Sequence, residues 1–155
     1  MVNELAAIEN IIQEHEAING HMRSISILLE EWKEMDVNKL ADLNHEQLQT
    51  LKNRSFSFKQ TMNYLDEGMK KHWVLEDQVL PELIGKPLAK SLHIEHVEIM
   101  KQMNEIKSAV FNIELRDFLL KRAYLKNSIS YLSQYIREHE AKENTILQLL
   151  KKQFV

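Results

Sequence analysis

Residues 58–80 read FKQTMNYLDEGMKKHWVLEDQVL, and their spacing decides the fold. Phe58, Met62, Leu65, Met69, His72, Glu76 and Leu80 recur three or four residues apart, the period of one helix face. Toward the N-terminus, Leu48 and Leu51 extend this stripe, and Asn44 with Gln47 predicts a capping box at its start. Downstream, Pro81 and the Gly85-Lys86-Pro87 sequence predict its end and the opening of a third helix, with Pro87 in the first turn. The third helix carries Leu88, Leu92, His96, Ile99, Met103, Ile106 and Val110 on one face. Before all of these, Ile8, Ile11/Ile12, His15, Ile18, Met22, Ile25, Leu28/Leu29 and Trp32 predict one helix from Asn3 to Glu34, in register across Gly20. Met35 to Leu43 loses the pattern and reads as a connection. Asn112 is the expected cap of a fourth helix, whose stripe is Leu119, Tyr124/Leu125, Ser128, Leu132, Tyr135, His139, Glu143, Ile146 and Leu150. Short connections between long helices favour antiparallel neighbours. The expected fold is therefore all-α, an antiparallel up-down-up-down four-helix bundle, with residues 1–155 as a single domain.

Composition agrees with that expectation. The chain has 155 residues, no Cys, three Gly and two Pro, too few turn formers for a β-sandwich or barrel. Without Cys, disulfides, thiolate zinc sites, iron–sulfur ligation and thiol nucleophiles are excluded. A net charge of −3 with dispersed Lys and Arg leaves no electrostatic footprint for nucleic acid. No apolar run approaches the roughly 18–20 residues that span a bilayer, and Met1-Val2-Asn3-Glu4-Leu5 lacks the features of a signal peptide. The chain is expected to be cytoplasmic, with no nucleic-acid or membrane partner. Hydrolase triads, phosphate-cradling glycines and nucleophile elbows have no candidate sequence.

Seven His remain to be explained. With a rise of 1.5 Å per residue, His15 stands roughly 18 Å above the lower end of the bundle, His72 roughly 12 Å, His96 roughly 14 Å and His139 roughly 18 Å. Each lies on the apolar stripe of its own helix, so the four meet in one layer. Glu76 and Glu143 each follow a His by four residues and share its helix face, one turn below. Two carboxylates and four imidazoles in a core are very costly unless compensated. A pair of divalent metals compensates them. Two six-coordinate ions that share both Glu and one bridging oxygen, with the four His, keep about two positions open. The nitrogen and oxygen donors rank iron first, then manganese, over zinc.

The stretches Glu14-His15-Glu16-Ala17-Ile18, His72-Trp73-Val74-Leu75-Glu76-Asp77 with Pro81 beyond, Glu95-His96, and His139-Glu140-Ala141-Lys142-Glu143 leading into Ile146-Leu147-Gln148-Leu149-Leu150 resemble the hemerythrin-like (HHE cation-binding) family. The resemblance covers the whole chain and keeps the order His, His-x3-Glu, His, His-x3-Glu. It implies that His15, His72, Glu76, His96, His139 and Glu143 bind an oxo- or hydroxo-bridged non-haem di-iron centre of two iron ions. It further implies dioxygen or another small diatomic or peroxide as the ligand. Oxygen-carrying hemerythrins have another His four residues from the third-helix ligand, where Leu92 and Met100 stand here. The four-His, two-Glu pattern is more similar to di-iron proteins that repair iron–sulfur clusters after nitrosative stress. Those usually carry a separate Cys-bearing N-terminal domain.

His93, three residues before His96, is expected to be partly exposed or to support the site, with direct ligation as the alternative. His21 and His45 are expected to be solvated. Glu14, Asp77 and Glu95, beside ligands, either orient the imidazoles or are helix-face charges. Trp73, Tyr135, Met69, Met100 and Met103 are expected in the core, where they would also wall the site from water. Gly68 is placed one turn above His72 on the same face, opening a passage to the metals or serving a helix contact.

Overall fold

The computed structural model describes residues 3–32 and 35–154, and among these the chain is all-α, with no strand. Four long helices dominate: α1 Glu4–Glu30, α2 His45–Ile84, α3 Lys86–Val110 and α5 Arg122–Lys151, with a short α4 Leu115–Leu120. A 3-10 helix, Val37–Asp42, lies in the connection that follows α1, and another, Lys152–Phe154, follows α5. No helix among the described residues is long and apolar enough to cross a membrane.

Local chemistry explains most boundaries. The Asn3 side chain accepts from the Ala6 N–H and starts α1. The expected capping box of Asn44 and Gln47 forms in both directions, at 2.8 and 3.1 Å. Gly85 takes φ 87 between α2 and α3, a conformation that favours Gly, and Pro87 occupies the first turn of α3.

Four boundary readings need correction. The first helix ends at Glu30 and a turn holds Trp32 beyond it; Glu34, its expected end, lies outside the described residues. Pro81 does not end α2. It lacks only its own N–H, and the helix continues for one more turn, with the Gly85 N–H bonded to the Pro81 carbonyl. Leu83 and Ile84 in that turn pack against a hydrophobic cluster, which offsets the missing bond. Asn112 caps nothing: it takes φ 67 after α3, and Glu114 precedes α4 without a side-chain cap bond. The fourth helix is broken at Lys121, whose side chain donates to the Ala109 carbonyl at 2.9 Å. The break lets Phe118 and Leu119 turn into the core before α5 starts. On α5 the buried face is Leu125, Ile129, Leu132, Ile136, His139, Glu140, Glu143 and Leu147, so Tyr124 is exposed and Ser128, Tyr135, Ile146 and Leu150 are half-buried. Leu88 on α3 is likewise exposed.

The long helices touch in a ring: α1 with α2, α2 with α3, α3 with α5, and α5 with α1. Glu9 pairs with Lys151 and Glu30 with Lys126 along the α1–α5 contact. The core is in two parts. The larger is centred on Trp32, Phe58 and Phe118, whose ring centroids lie 4.8–6.1 Å apart. The smaller comprises Ile8, Ile11, Leu80, Ala89, Leu92 and Leu147. On every long helix the boundary between the two falls at the same kind of residue. α1 passes from Ile11 through His15 to Ile18, and α3 from Leu92 through His96 to Ile99. α2 passes from Trp73 through Glu76 to Leu80, and α5 from Ile136 through His139 and Glu143 to Leu147. A polar layer therefore divides the hydrophobic core.

Candidate metal centre

The helical period that buries each apolar stripe carries six polar side chains inward with it. His15, His72, His96 and His139 are each 2% exposed, Glu76 is fully buried and Glu143 is 1% exposed. At such burial, an uncompensated charge would not persist. The six residues fall into two overlapping groups that could each hold a metal ion. One is His15, His72, Glu76 and Glu143; the other is His96, His139, Glu76 and Glu143. Both carboxylates belong to both groups.

The distances show how the sharing works. His15 Nε2 lies 3.3 Å from Glu76 Oε1 and 3.1 Å from Glu143 Oε1. His96 Nε2 lies 2.9 Å from Glu76 Oε2 and 3.3 Å from Glu143 Oε2. His72 Nε2 is in close contact with Glu76 Oε1, and His139 Nε2 is 2.9 Å from Glu143 Oε2. Each carboxylate thus offers one oxygen to each side of the layer. The Nε2 atoms of His72 and His139 and Oε2 of Glu76 are nevertheless in no hydrogen-bond geometry. His15 Nε2 with both carboxylates and His96 Nε2 with Glu143 are within hydrogen-bond geometry, so protons can hold those contacts, and the remaining unpartnered donors suit a shared cation.

The opposite ring nitrogens set the orientation of the imidazoles. His15 Nδ1 donates to Asn144 Oδ1 at 2.8 Å, His72 Nδ1 to Glu14, and His139 Nδ1 to Glu95 Oε1 at 3.2 Å. A donor hydrogen fixed at Nδ1 leaves the Nε2 lone pair pointing inward, the tautomer a metal requires. Glu95 also meets Lys142 at 3.3 Å. Glu14 and Glu95 therefore orient imidazoles rather than serve as plain surface charges. Asp77 Oδ1 lies 3.7 Å from His96 Nδ1, while both Asp77 oxygens accept from His93 Nδ1, at 3.2 and 3.1 Å.

In the metal-free protein, protons do the compensating. Burial lowers the His15 pKa, but hydrogen bonds to Glu143 and Glu76 outweigh it and raise the group to about 10. His96 is pushed to about 9 by the same balance, and His72 is also raised. Burial raises Glu76 and Glu143, and the surrounding imidazoles more than reverse this and hold both carboxyls low. The raised His pKa values have a signed consequence. Stability from the His15 and His96 imidazoliums is complete below the ordinary value of 6.5 and is lost as pH rises through about 9 to about 10. Metal ligation needs neutral imidazole, so loading at pH 8 should expel at least about two protons, one each from His15 and His96, with any that His72 holds in addition. Calorimetry in buffers of different ionisation enthalpy measures this number, and a value near zero would refute the ligand assignment.

The sequence reading did not single out two members of the site. Asn144 gives no periodic signal. Glu140 lies four residues after Ile136 and three before Glu143, a register that places it on the buried face of α5. It is 4% exposed, neither carboxylate oxygen has a hydrogen-bond partner, and burial raises its pKa to about 7 against the pull of His15, His72 and His139. An unpartnered buried carboxyl costs about 1–3 kcal/mol. Glu140→Leu should therefore stabilise the metal-free protein by about that amount, measured by urea unfolding.

Of the other sequence candidates, His21 and His45 are exposed as expected. His93 is outside the four-His layer, with its side chain 52% exposed. Trp73 is buried and stacks on His96 at 5.1 Å, and Met69 and Met103 are buried nearby in the larger cluster; Met100 and Tyr135 are half-buried. Gly68 is exposed, and a Cβ there would meet nothing within 4 Å, so it opens no passage to the layer and makes no close helix contact. No family model, no curated protein and no solved structure matches the chain.

Proposed function

We propose that this chain is a hemerythrin-like non-haem di-iron protein that binds or senses dioxygen or a related small oxidant. One observation carries the reading: Glu76 and Glu143 each present one oxygen to the His15/His72 pair and the other to the His96/His139 pair. Two adjacent cations would draw on every one of these donors. The proposed architecture is an antiparallel up-down-up-down bundle. It is supported by the ring of helix contacts, by the Glu9–Lys151 and Glu30–Lys126 pairs, and by the order in which each helix crosses the two core clusters.

His15, His72, His96, His139, Glu76 and Glu143 would hold the metals. An all-nitrogen-and-oxygen donor set with room for six-coordination favours iron, then manganese, over zinc. When bound, the metal pair supplies the electrons for reversible combination with a small oxidant. The chain supplies the rest. Asn144, Glu14 and Glu95 fix three imidazoles with their lone pairs inward, and the shared carboxylates set the spacing between the two positions. Trp73, Met69, Ile99, Met103 and Ile136 exclude water from the layer on the side of the larger core.

A second reading is a di-iron enzyme or iron donor in nitric oxide or peroxide defence or iron–sulfur cluster repair. It is favoured by the absence of a fifth inward His on α3: Leu92 is in the apolar core, Met100 is half-buried, and His93 faces out. Fewer protein ligands leave more positions for chemistry. Metal analysis with visible spectra, before and after air reaches the reduced protein, tests both. A reversible absorption change is expected for binding or sensing. Irreversible oxidation with turnover of nitric oxide or peroxide would replace the first reading with the second, and a chain that takes up no metal would remove both.

A further inference from the structure

A second cluster of metal-ligating side chains lies on the outer side of the α2–α3 contact. Asp77, His93 and His96 each bring a donor atom within 4.8 Å of the others. The Asp77 carboxylate spans the two rings, at 3.1 and 3.2 Å from His93 Nδ1 and 3.7 Å from His96 Nδ1. His93 and His96 are three residues apart on α3, so both project from one face. Their ring centroids are 6.4 Å apart, edge to face. Asp77 and His93 are exposed, whereas His96 is buried.

His96 is what makes this cluster more than a surface ion pair. Its Nε2 belongs to the inner layer, but its Nδ1 is buried and has no hydrogen-bond partner. The Nδ1 atoms of the other three inner His all donate, to Asn144, Glu14 and Glu95. The carboxylate that would complete the pattern for His96 is turned to His93. One ring nitrogen is therefore left aimed at an exposed Asp–His pair, with no proton acceptor in place.

We propose that Asp77, His93 and Nδ1 of His96 form an outer site for one borderline divalent cation of the Zn²⁺, Ni²⁺ or Cu²⁺ class. Two imidazoles and one carboxylate suit these ions rather than Mg²⁺ or Ca²⁺, which prefer all-oxygen shells. Three protein ligands at an exposed position leave the remaining coordination to water. His96 then serves both sites, with one nitrogen each. Were both sites filled, its single ring proton would have to leave to solvent, so loading the second site should be favoured by rising pH. The outer site does not depend on which metal fills the inner layer, and it gives an incoming cation a first stop at the surface.

The test is Zn²⁺ binding by the full chain, followed by equilibrium dialysis, with His93→Ala and Asp77→Asn as variants. Both side chains are exposed and Ala suits a helix, so folding is retained; circular dichroism checks this. Wild type is expected to bind one more Zn²⁺ per chain than either variant, or to hold that ion at least tenfold more tightly. His21→Ala, another exposed His, should change nothing. Equal stoichiometry and affinity in wild type and His93→Ala would overturn the proposal, as would an equal loss in His21→Ala. Failure of the inner centre reads differently: it appears as no difference between wild type and Glu143→Ala, whatever His93→Ala does.

Discussion

Glu143→Ala is expected to reduce bound iron from two ions per chain to fewer than one. The reason is its position: its two oxygens meet His15, His96 and His139, and it belongs to both metal-ligating groups. Loss of a terminal ligand would weaken one site, whereas loss of a shared carboxylate weakens both. The metal-free variant should also be less stable. His15 and His96 owe their raised pKa values first to Glu143 among their partners, so its removal leaves Glu76 alone to compensate both buried imidazoliums. Breaking a buried ion pair by removing one partner costs about 3–5 kcal/mol. Metal analysis by plasma emission, with urea unfolding of the metal-free protein, measures both effects. Retention of two ions per chain would remove Glu143 from the centre.

Phe58→Ala should destabilise the protein by about 3–5 kcal/mol while leaving the metal stoichiometry of the folded fraction unchanged. Phe58 is fully buried and packs against Trp32 at 6.1 Å and Phe118 at 5.3 Å. Truncation removes a large side chain from between two rigid rings, Trp32 in the turn after α1 and Phe118 on α4, which cannot easily close the gap. His72 and Glu76 are fourteen or more positions farther along α2, at least roughly 21 Å away. The comparison separates what holds the fold from what equips it. A loss of less than about 1 kcal/mol would show that the aromatic cluster is not a main support of the core.

The inward polar residues were legible because helical periodicity records which face is buried, whatever chemistry occupies it. His15, His72, Glu76, His96, His139 and Glu143 all stood on apolar stripes, and all six are buried together. The residues behind them were less legible. Glu14 and Glu95 stood next to ligands, but only packing between helices brings Glu14 to His72 and Glu95 to His139. Asn144 reaches His15 across the α1–α5 contact, which no local pattern encodes. Glu140 was hidden by an ambiguity of the helical period: steps of three or four from Leu132 and His139 reach Tyr135 and Ile146 as readily as Ile136 and Leu147, and only packing sets Ile136, Glu140 and Leu147 inward. Pro81 misled for the opposite reason, because propensity near a helix end yields to burial of Leu83 and Ile84.

The division of the core into two clusters bears on how the molecule opens. The smaller cluster draws on both ends of the chain and on the α2–α3 junction, and the polar layer separates it from the Trp32–Phe58–Phe118 region. Before metal binds, that layer is held by protons and carboxylates alone. Amide hydrogens around Ile8, Leu80, Leu92 and Leu147 should therefore exchange with solvent well before those around Phe58, as one cooperative unit. Filling the centre ties this unit to the rest, so the slow-exchanging region should grow across the layer. The lower end of the molecule would then act as a door that its own cargo locks.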